Sequence, residues 1–335
     1  MALNREGFMG RRLANTIGSL LGAVAAMALA SPGVAQETFP QRSVRIIVPF
    51  PAGSALDGIT RLVAENLNRT WGGKGVIVEN VAGGGGNIGT LRFARSEPDG
   101  YTLLSAPPGP YALNKALYKD TNFDAEKFVP LSLMSSVPNV LVLRNEVPVK
   151  DFREYIAYAR SNPGKLNYAS QGVGSTGFLT ARALEMAAKV EMVHVPYRGA
   201  AQILTDIAAG HVDSFFDTAT TSLPLQRAGK VRIIAVAGER RLDALPDVPA
   251  IAEFYPGFSS VTWFAMAAPE GTPAPLTEKI SRDIRDVIAS AEVNQRLRTV
   301  EMTPRGEGPA ETRKFLDDER ARWTRLINEI GVQPQ

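Results

Sequence analysis

Short β-branched runs alternate with segments of helical spacing, and this rhythm limits the fold more than any other feature of the chain. Val44-Arg-Ile-Ile-Val48 reads as a strand stopped by Pro49. Ile59 to Arg69 follows with Leu62, Val63, Asn66 and Leu67 able to share one helix face. Val76–Val78 is the next strand, Ile88–Ala94 a helix and Tyr101–Leu104 a third strand. Strand–helix–strand repetition of this kind predicts a mainly parallel sheet with helices on both faces. After a further strand at Val140–Leu143 the rhythm restarts: helix 152–161, strand 166–169, helix 178–188, strand 192–195, helix 202–209, strand 231–236. The restart predicts two α/β lobes. An extended run at 259–268 precedes helices over 275–290 and 309–330, which have no third sheet to cover and are expected to return to the first lobe.

The first 35 residues are expected to lie outside this fold. Arg5, Arg11 and Arg12 make a basic start, Leu13 to Gln36 is uncharged, and Gly33-Val34-Ala35 supplies small residues before Gln36. That three-part layout is a secretory signal peptide, with cleavage expected after Ala35 and export to a periplasm. Its apolar core, Ile17 to Ala30, is shorter than the ~20 residues a membrane span needs. The whole chain has 37 basic and 34 acidic residues. Subtracting the leader's three Arg and one Glu leaves 34 against 33, a net of +1. No overall field remains to attract nucleic acid or an anionic membrane. The chain has no cysteine, which excludes disulfides, thiolate metal sites and cysteine nucleophiles. With only His194 and His211, neither a metal nor a cofactor is expected.

Three strand-to-helix loops carry the chemistry. In Pro49-Phe-Pro-Ala-Gly-Ser-Ala-Leu-Asp57, Gly53 permits close backbone approach, and the N–H groups after it lie where a helix dipole favours an anion. Asp57 either caps that helix or faces the ligand. Gly83–Gly89 contains the Gly84-x-Gly86-x-x-Gly89 spacing of a dinucleotide loop. It follows the second strand rather than the first, so a tight turn into a helix is the expected reading. The third loop, Ala169-Ser-Gln-Gly-Val-Gly-Ser-Thr-Gly177, alternates glycine with the hydroxyls of Ser170, Ser175 and Thr176. This serves either as an oxyanion cradle or as plain helix capping. Catalytic patterns are absent: Ser175 follows glycine directly and so departs from the G-x-S-x-G elbow, and the carboxylates are scattered. Each histidine is expected to be structural, and no enzyme activity is expected.

The segments read in order become recognisable. They are Val44–Gly53 with Asp57, Val78-Glu-Asn80 before the Gly-rich loop, Pro98–Leu104, Asn162–Ser170 and Gly174-Ser175. His194–Gly199, Ala228–Lys230, Leu245–Pro249, Ala252-Glu253 and Gly271–Pro273 continue the series. The chain resembles the Bug family, the extracytoplasmic substrate-binding proteins of tripartite tricarboxylate transporters, across nearly its whole mature length. The resemblance implies a two-lobed α/β periplasmic binding protein fold (type II) with two crossover strands. The lobes would comprise residues 36–139 with 260–335, and 140–259. It also implies a small carboxylate ligand, delivery to membrane transporter subunits, and action as a monomer without nucleic acid.

By position, the resemblance points to Phe50, Ala52, Gly53, Ser54 and Asp57 in the first lobe. In the second it points to Ser170, Gly174, Ser175 and Thr176, with Phe216-Asp217-Thr218 as a further cleft segment and Ser105-Ala106 beside them. Ser54 stands where relatives commonly have glycine, and Phe178 and Leu225 where they commonly have histidine. These departures leave the fold expectation intact but make the ligand's identity less transferable from the family. A sensor feeding a signalling partner, or a secreted α/β enzyme using Ser175 or Asp57, remains an alternative.

Overall fold

The computed structural model describes residues 39–334; the signal segment and its cleavage point lie outside them. Five-residue β1 (Val44–Val48) is buried at every position but Arg45, as its apolar run requires. Helix α1 (Ala55–Thr70) starts where Ser54 Oγ accepts from the Asp57 amide. Its buried stripe is Ile59, Val63, Ala64 and Leu67, spaced for a single face, with Leu62 and Asn66 half-buried at its edge. Burying Ile59, Val63 and Leu67 stabilises by roughly 1.5–3 kcal/mol each. The chain continues through β2 (Val76–Asn80), α2 (Asn87–Ala94), β3 (Thr102–Ala106) and the short α3 (Asn114–Leu117).

Fifteen-residue β4 (Val129–Leu143) is nearly four times the length of the expected Val140–Leu143. Pro130, Pro138 and three serines mask its first ten residues. That stretch survives as strand through its pairing with β9, whose register steps fall between Pro130 and Ser132 and between Leu133 and Ser135, while Pro138 pairs in register with Val261. The second half runs α4 (Phe152–Ser161), β5 (Asn167–Ser170), α5 (Thr176–Ala188), β6 (Val193–Pro196), α6 (Ala200–Ala208), β7 (Ser214–Thr218), α7 (Ala219–Arg227) and β8 (Arg232–Val236). Strand β7 and helix α7 were not expected. Ser214-Phe-Phe-Asp-Thr218 is short, and α7 holds Pro224 and three hydroxyl residues, which read as loop by composition. The last elements are β9 (Val261–Ala268), α8 (Ala274–Ala289), α9 (Ala291–Thr299), β10 (Thr303–Glu307) and α10 (Pro309–Glu329).

The strands form one curled sheet in the order β2-β1-β3-β9-β4-β7-β5-β6, with β10 and β8 also on β4. Parallel β1–β2 and β1–β3 pairs build one half, and parallel β5–β6 and β5–β7 pairs the other. Antiparallel β4 joins them: its start pairs with β9 and β10, its end with β7 and β8. The partner change falls at Asn139, whose N–H donates to the Ser260 carbonyl (3.3 Å) while Ser260 N–H donates to Ala237 (2.7 Å). The chain therefore passes twice between two α/β lobes. Helices α8 and α10 both pack on β4. Trp263 on β9 and Trp323 on α10 each donate to Glu319 (2.7 and 2.9 Å), pinning the last helix.

Candidate functional site

A cavity lies where the first and third loops face each other. From one side come Phe50, Ser54, Ala55 and Leu56 at the start of α1, with Pro107, Pro108 and Gly109 beyond β3. From the other come Gln171, Gly174, Ser175, Thr176 and Gly177 at the start of α5, Ala200 at the start of α6, and Phe216, Asp217 and Thr218 leading into α7. The crossover strands give Asn139, Thr262 and Phe264. It is tight, with about 50 Å³ open to the centre of a water-sized sphere, a few times the ~10–15 Å³ that one water needs.

The electrostatics are set by backbone. Four helices of nine or more residues begin at this wall, and each N-terminus carries partial positive charge and N–H groups that have no partner within the helix. Among the described residues no lysine, arginine or histidine lines the cavity, and Asp217 is its one ionisable side chain. Helix α6 has neither a side-chain cap nor an acid in its first turn, so its amide donors are not taken by its own residues. Hydroxyls tie the rear wall together: Thr176 Oγ1 lies 2.7 Å from Thr262 Oγ1, which donates to Asn139 Oδ1 at 3.0 Å.

Asp57 is turned into its own loop. Its carboxylate accepts from Gly53 N (3.1 Å), Arg61 Nε (3.0 Å) and Asn80 Nδ2 (3.0 Å), and Asn80 also donates to the Phe50 carbonyl. Burial raises its pKa, but the bonds from Arg61, Gly53 and Asn80 together outweigh that and hold the carboxyl below the usual range. It is ionised and buried, and it does not line the cavity. The Gly53 N–H is engaged by Asp57.

Ser175 caps α5, accepting from Phe178 N (3.3 Å) and donating to the Gly172 carbonyl (2.7 Å). Ser170 lies behind the cavity wall, its Oγ 2.7 Å from His194 Nε2. The imidazole packs against Tyr168 and Phe178, and burial pushes its pKa down to about 4, so it is neutral at pH 7. Ser105 is also set back, its Oγ 2.7 Å from Thr60 Oγ1, and Ala106 is fully buried. Ala52 is exposed. Thus Phe50, Ser54, Gly174, Ser175, Thr176, Asp217 and Thr218 line the cavity, whereas Ala52, Gly53, Asp57, Ser105, Ala106 and Ser170 surround it. Pro107, Pro108, Asn139, Thr262 and Phe264 carried no sequence signal; the prolines follow the end of β3, where α/β folds present ligands, whereas the other three lie within β4 and β9.

The Gly-rich loop at 83–89 has a steric purpose. A Cβ on Gly89 would lie 2.5 Å from the Val81 carbonyl and 2.9 Å from Pro49 Cα. Gly85 and Gly109 meet Gly174 of the opposite loop: a Cβ on Gly109 would lie 2.6 Å from the Gly174 carbonyl, and one on Gly174 2.4 Å from Asn114 Oδ1. Tyr118 is hydrogen-bonded to the Gly174 backbone. Asn114 Nδ2 donates to the Gly85 carbonyl (3.0 Å) and Asn87 Oδ1 (2.6 Å). A second contact sets Gly199 against Pro51, 2.8 Å from a Cβ there to Pro51 Cγ. The two lobes thus touch directly at glycine.

Two α/β lobes, two crossovers and an enclosed cleft between helix N-termini define a periplasmic solute-binding protein. Residues 59–332 match the model of the tripartite tricarboxylate transporter family receptor, and the chain belongs to that family. It is 32% identical to Protein BugT of Bordetella pertussis over 313 residues, covering 92% of this chain and 95% of that one. A solved R. palustris protein with adipate superposes with a TM-score of 0.86 at 32% identity, covering 89% of this chain and all of the other. MatC from Rhodopseudomonas palustris, solved with bound malate, gives 0.82 at 30% identity, covering 86% of this chain and all of the other.

Proposed function

We propose that this protein captures a small carboxylic acid in the interlobe cleft and delivers it to a tripartite tricarboxylate-type membrane transporter. Export to the periplasm with removal of residues 1–35 belongs to the same reading, as does a division into residues 36–139 with 260–335 and residues 140–259. The observation that carries it is the cavity wall: helix N-termini and hydroxyls converge on a space that, among the described residues, no side-chain cation lines. An anion satisfies that wall best. Dicarboxylates are favoured over amino acids, because Asp57 points into its own loop and offers no carboxylate for a ligand's ammonium, which leaves Asp217 as the one carboxyl such a ligand meets on the described wall. Phe50, Phe216 and Phe264 add apolar surface for a short methylene chain. The relatives solved with adipate and malate support that class.

The energetics are adequate. A micromolar complex needs about 8 kcal/mol, and hydrogen bonds to a charged group contribute roughly 1.5–3 kcal/mol each. A thermal-shift screen of ligand-free protein against mono-, di- and tricarboxylates, aromatic acids and amino acids is expected to find its largest shift among dicarboxylates. A ligand at about 100 times its dissociation constant stabilises by about 2.7 kcal/mol. Uniformly flat curves would sink the assignment, and a best response from an amino acid would exclude the dicarboxylate preference. Loss of uptake of the same acid on deleting the membrane subunits would separate transport from sensing.

A further inference from the structure

Among the described residues Asp217 is the one ionisable group on the cavity wall, and no cationic side chain accompanies it there. It sits on β7 opposite Val140 of β4 and is 3% exposed. Its Oδ2 accepts from Thr221 Oγ1 (2.5 Å) and Ser222 Oγ (2.7 Å) in the first turns of α7, and the Thr218 N–H bonds the same carboxyl. These are neutral donors. The charged side chains on the surrounding elements are engaged elsewhere. Arg182 pairs with Glu185 on α5, Asp206 on α6 bonds Tyr197, and Asp213 before β7 pairs with Arg144. Arg61 pairs with Asp57 on α1, and Arg232 on β8 bonds the Val147 and Val149 carbonyls. Arg227 stands at the far end of α7, and β4, β5 and β9 carry no charged side chain. None of them perturbs Asp217; burial alone pushes its pKa up, to about 6.

This geometry poses a problem for any carboxylate ligand. Seating it places a second negative charge beside a buried first one, and two carboxylates sharing a site cannot both ionise readily. We propose that the acid binds together with a proton: Asp217 takes one proton from solvent as the anion seats, so the closed cavity holds one negative charge instead of two. The proposal rests on the carboxylate reading of the cleft and adds a linked proton to it. Asp217 acts here as a specificity-determining residue, favouring anions that bring or accept a proton.

The sign follows from linkage. Above about pH 6 free Asp217 is ionised, and an anionic neighbour raises its pKa further. Over the window between the free and bound values, affinity falls as pH rises, by at most tenfold per pH unit. Below that window Asp217 is already protonated and binding takes up no proton through it.

The test is isothermal titration of the mature protein with adipate, and separately malate, in phosphate and in Tris at about pH 7. The difference in apparent enthalpy reads protons taken up per site. The expected result is uptake approaching one proton, with affinity weakening between about pH 6 and pH 8. In Asp217→Asn, which still accepts from Thr221 and Ser222, uptake is expected to vanish and affinity to become level across that range. The wild-type measurement needs no variant, so poor folding of Asp217→Asn would not remove the test. Binding of either acid with no buffer-dependent enthalpy overturns the proton linkage and leaves the carboxylate reading standing. Binding of neither acid nor any other carboxylate at any pH overturns both.

Discussion

The loops at Pro49–Asp57 and Ala169–Gly177 share one plan: strand, glycine, serine cap, helix. They differ in what satisfies their donors. The first contains an acid, and Asp57 draws Gly53 N–H, Asn80 and Arg61 onto itself. The second contains none; Ser175 caps its helix, and Gly174 presents bare backbone to the other lobe. A helix N-terminus becomes a binding surface only where the chain has not already supplied the anion. The first loop is therefore a rigid wall carrying Phe50 and Ser54, and the second is the adaptable face.

Asp57→Ala breaks the first loop and carries the largest expected effect. It leaves the Gly53 amide, the Asn80 amide and Arg61 without their shared acceptor. Removing one partner of a buried pair typically costs about 3–5 kcal/mol; because the Arg61 side chain is 51% exposed, the lower end, about 3 kcal/mol, is expected. Urea unfolding at pH 7 reads it. The carboxyl's depressed pKa gives a second check. Its contribution is fully present above the unfolded value of 3.8 and is lost as pH falls through the lower folded value. A variant as stable as wild type would show that the loop does not depend on its acid.

Gly174→Ala breaks the second loop in the opposite manner. The added methyl would meet Asn114 Oδ1 at 2.4 Å and the Gly85 carbonyl at 3.4 Å, inside a contact between lobes rather than within one. The lobes can relieve it by parting, so global stability should change by less than about 0.5 kcal/mol, the usual range for substitutions away from the core. Adipate affinity should fall tenfold or more, about 1.4 kcal/mol, because closure is hindered. Calorimetry alongside urea unfolding separates the two. A large loss of stability with unchanged affinity would mean that Gly174 packs within its own lobe.

The same contrast explains what could be read from the sequence. Both loops were legible because glycine, serine and a following helix pattern are local features. Which way Asp57 points was not, since it depends on Asn80, 23 residues away. The rear wall was invisible for a similar reason. Asn139, Thr262 and Phe264 are brought to the cleft by β4 and β9, which pair across more than 120 residues. Strand β4 was read only at its apolar end, and Asp217 was placed by family resemblance although β7 itself went unread. Backbone pairing in the middle of the sheet tolerates Pro130, Ser135 and Pro138, so composition alone underrates it.

The smallest expected effect sharpens the comparison from within the second lobe. His194 supports the adaptable loop through Ser170 (2.7 Å) while neutral, its pKa pushed down to about 4 from 6.5 by burial. The folded protein binds fewer protons at this site than the unfolded chain, so stability from neutral His194 is lost as pH falls from 6.5 toward 4. Asp217 acts with the opposite sign. Its folded value of about 6 exceeds 3.8, so acidification through 6 relieves the cost of burying its charge. The two partly cancel, and ligand-free wild type should lose little stability through them between about pH 6.5 and pH 4. His194→Gln, which keeps a hydrogen-bonding group beside Ser170, removes one side of the balance. Its unfolding midpoint should rise relative to wild type as pH falls across that window, with Asp217→Asn moving the other way. Parallel pH profiles for wild type and His194→Gln would mean that the imidazole is solvated enough to protonate in place, and that the second loop stands without it.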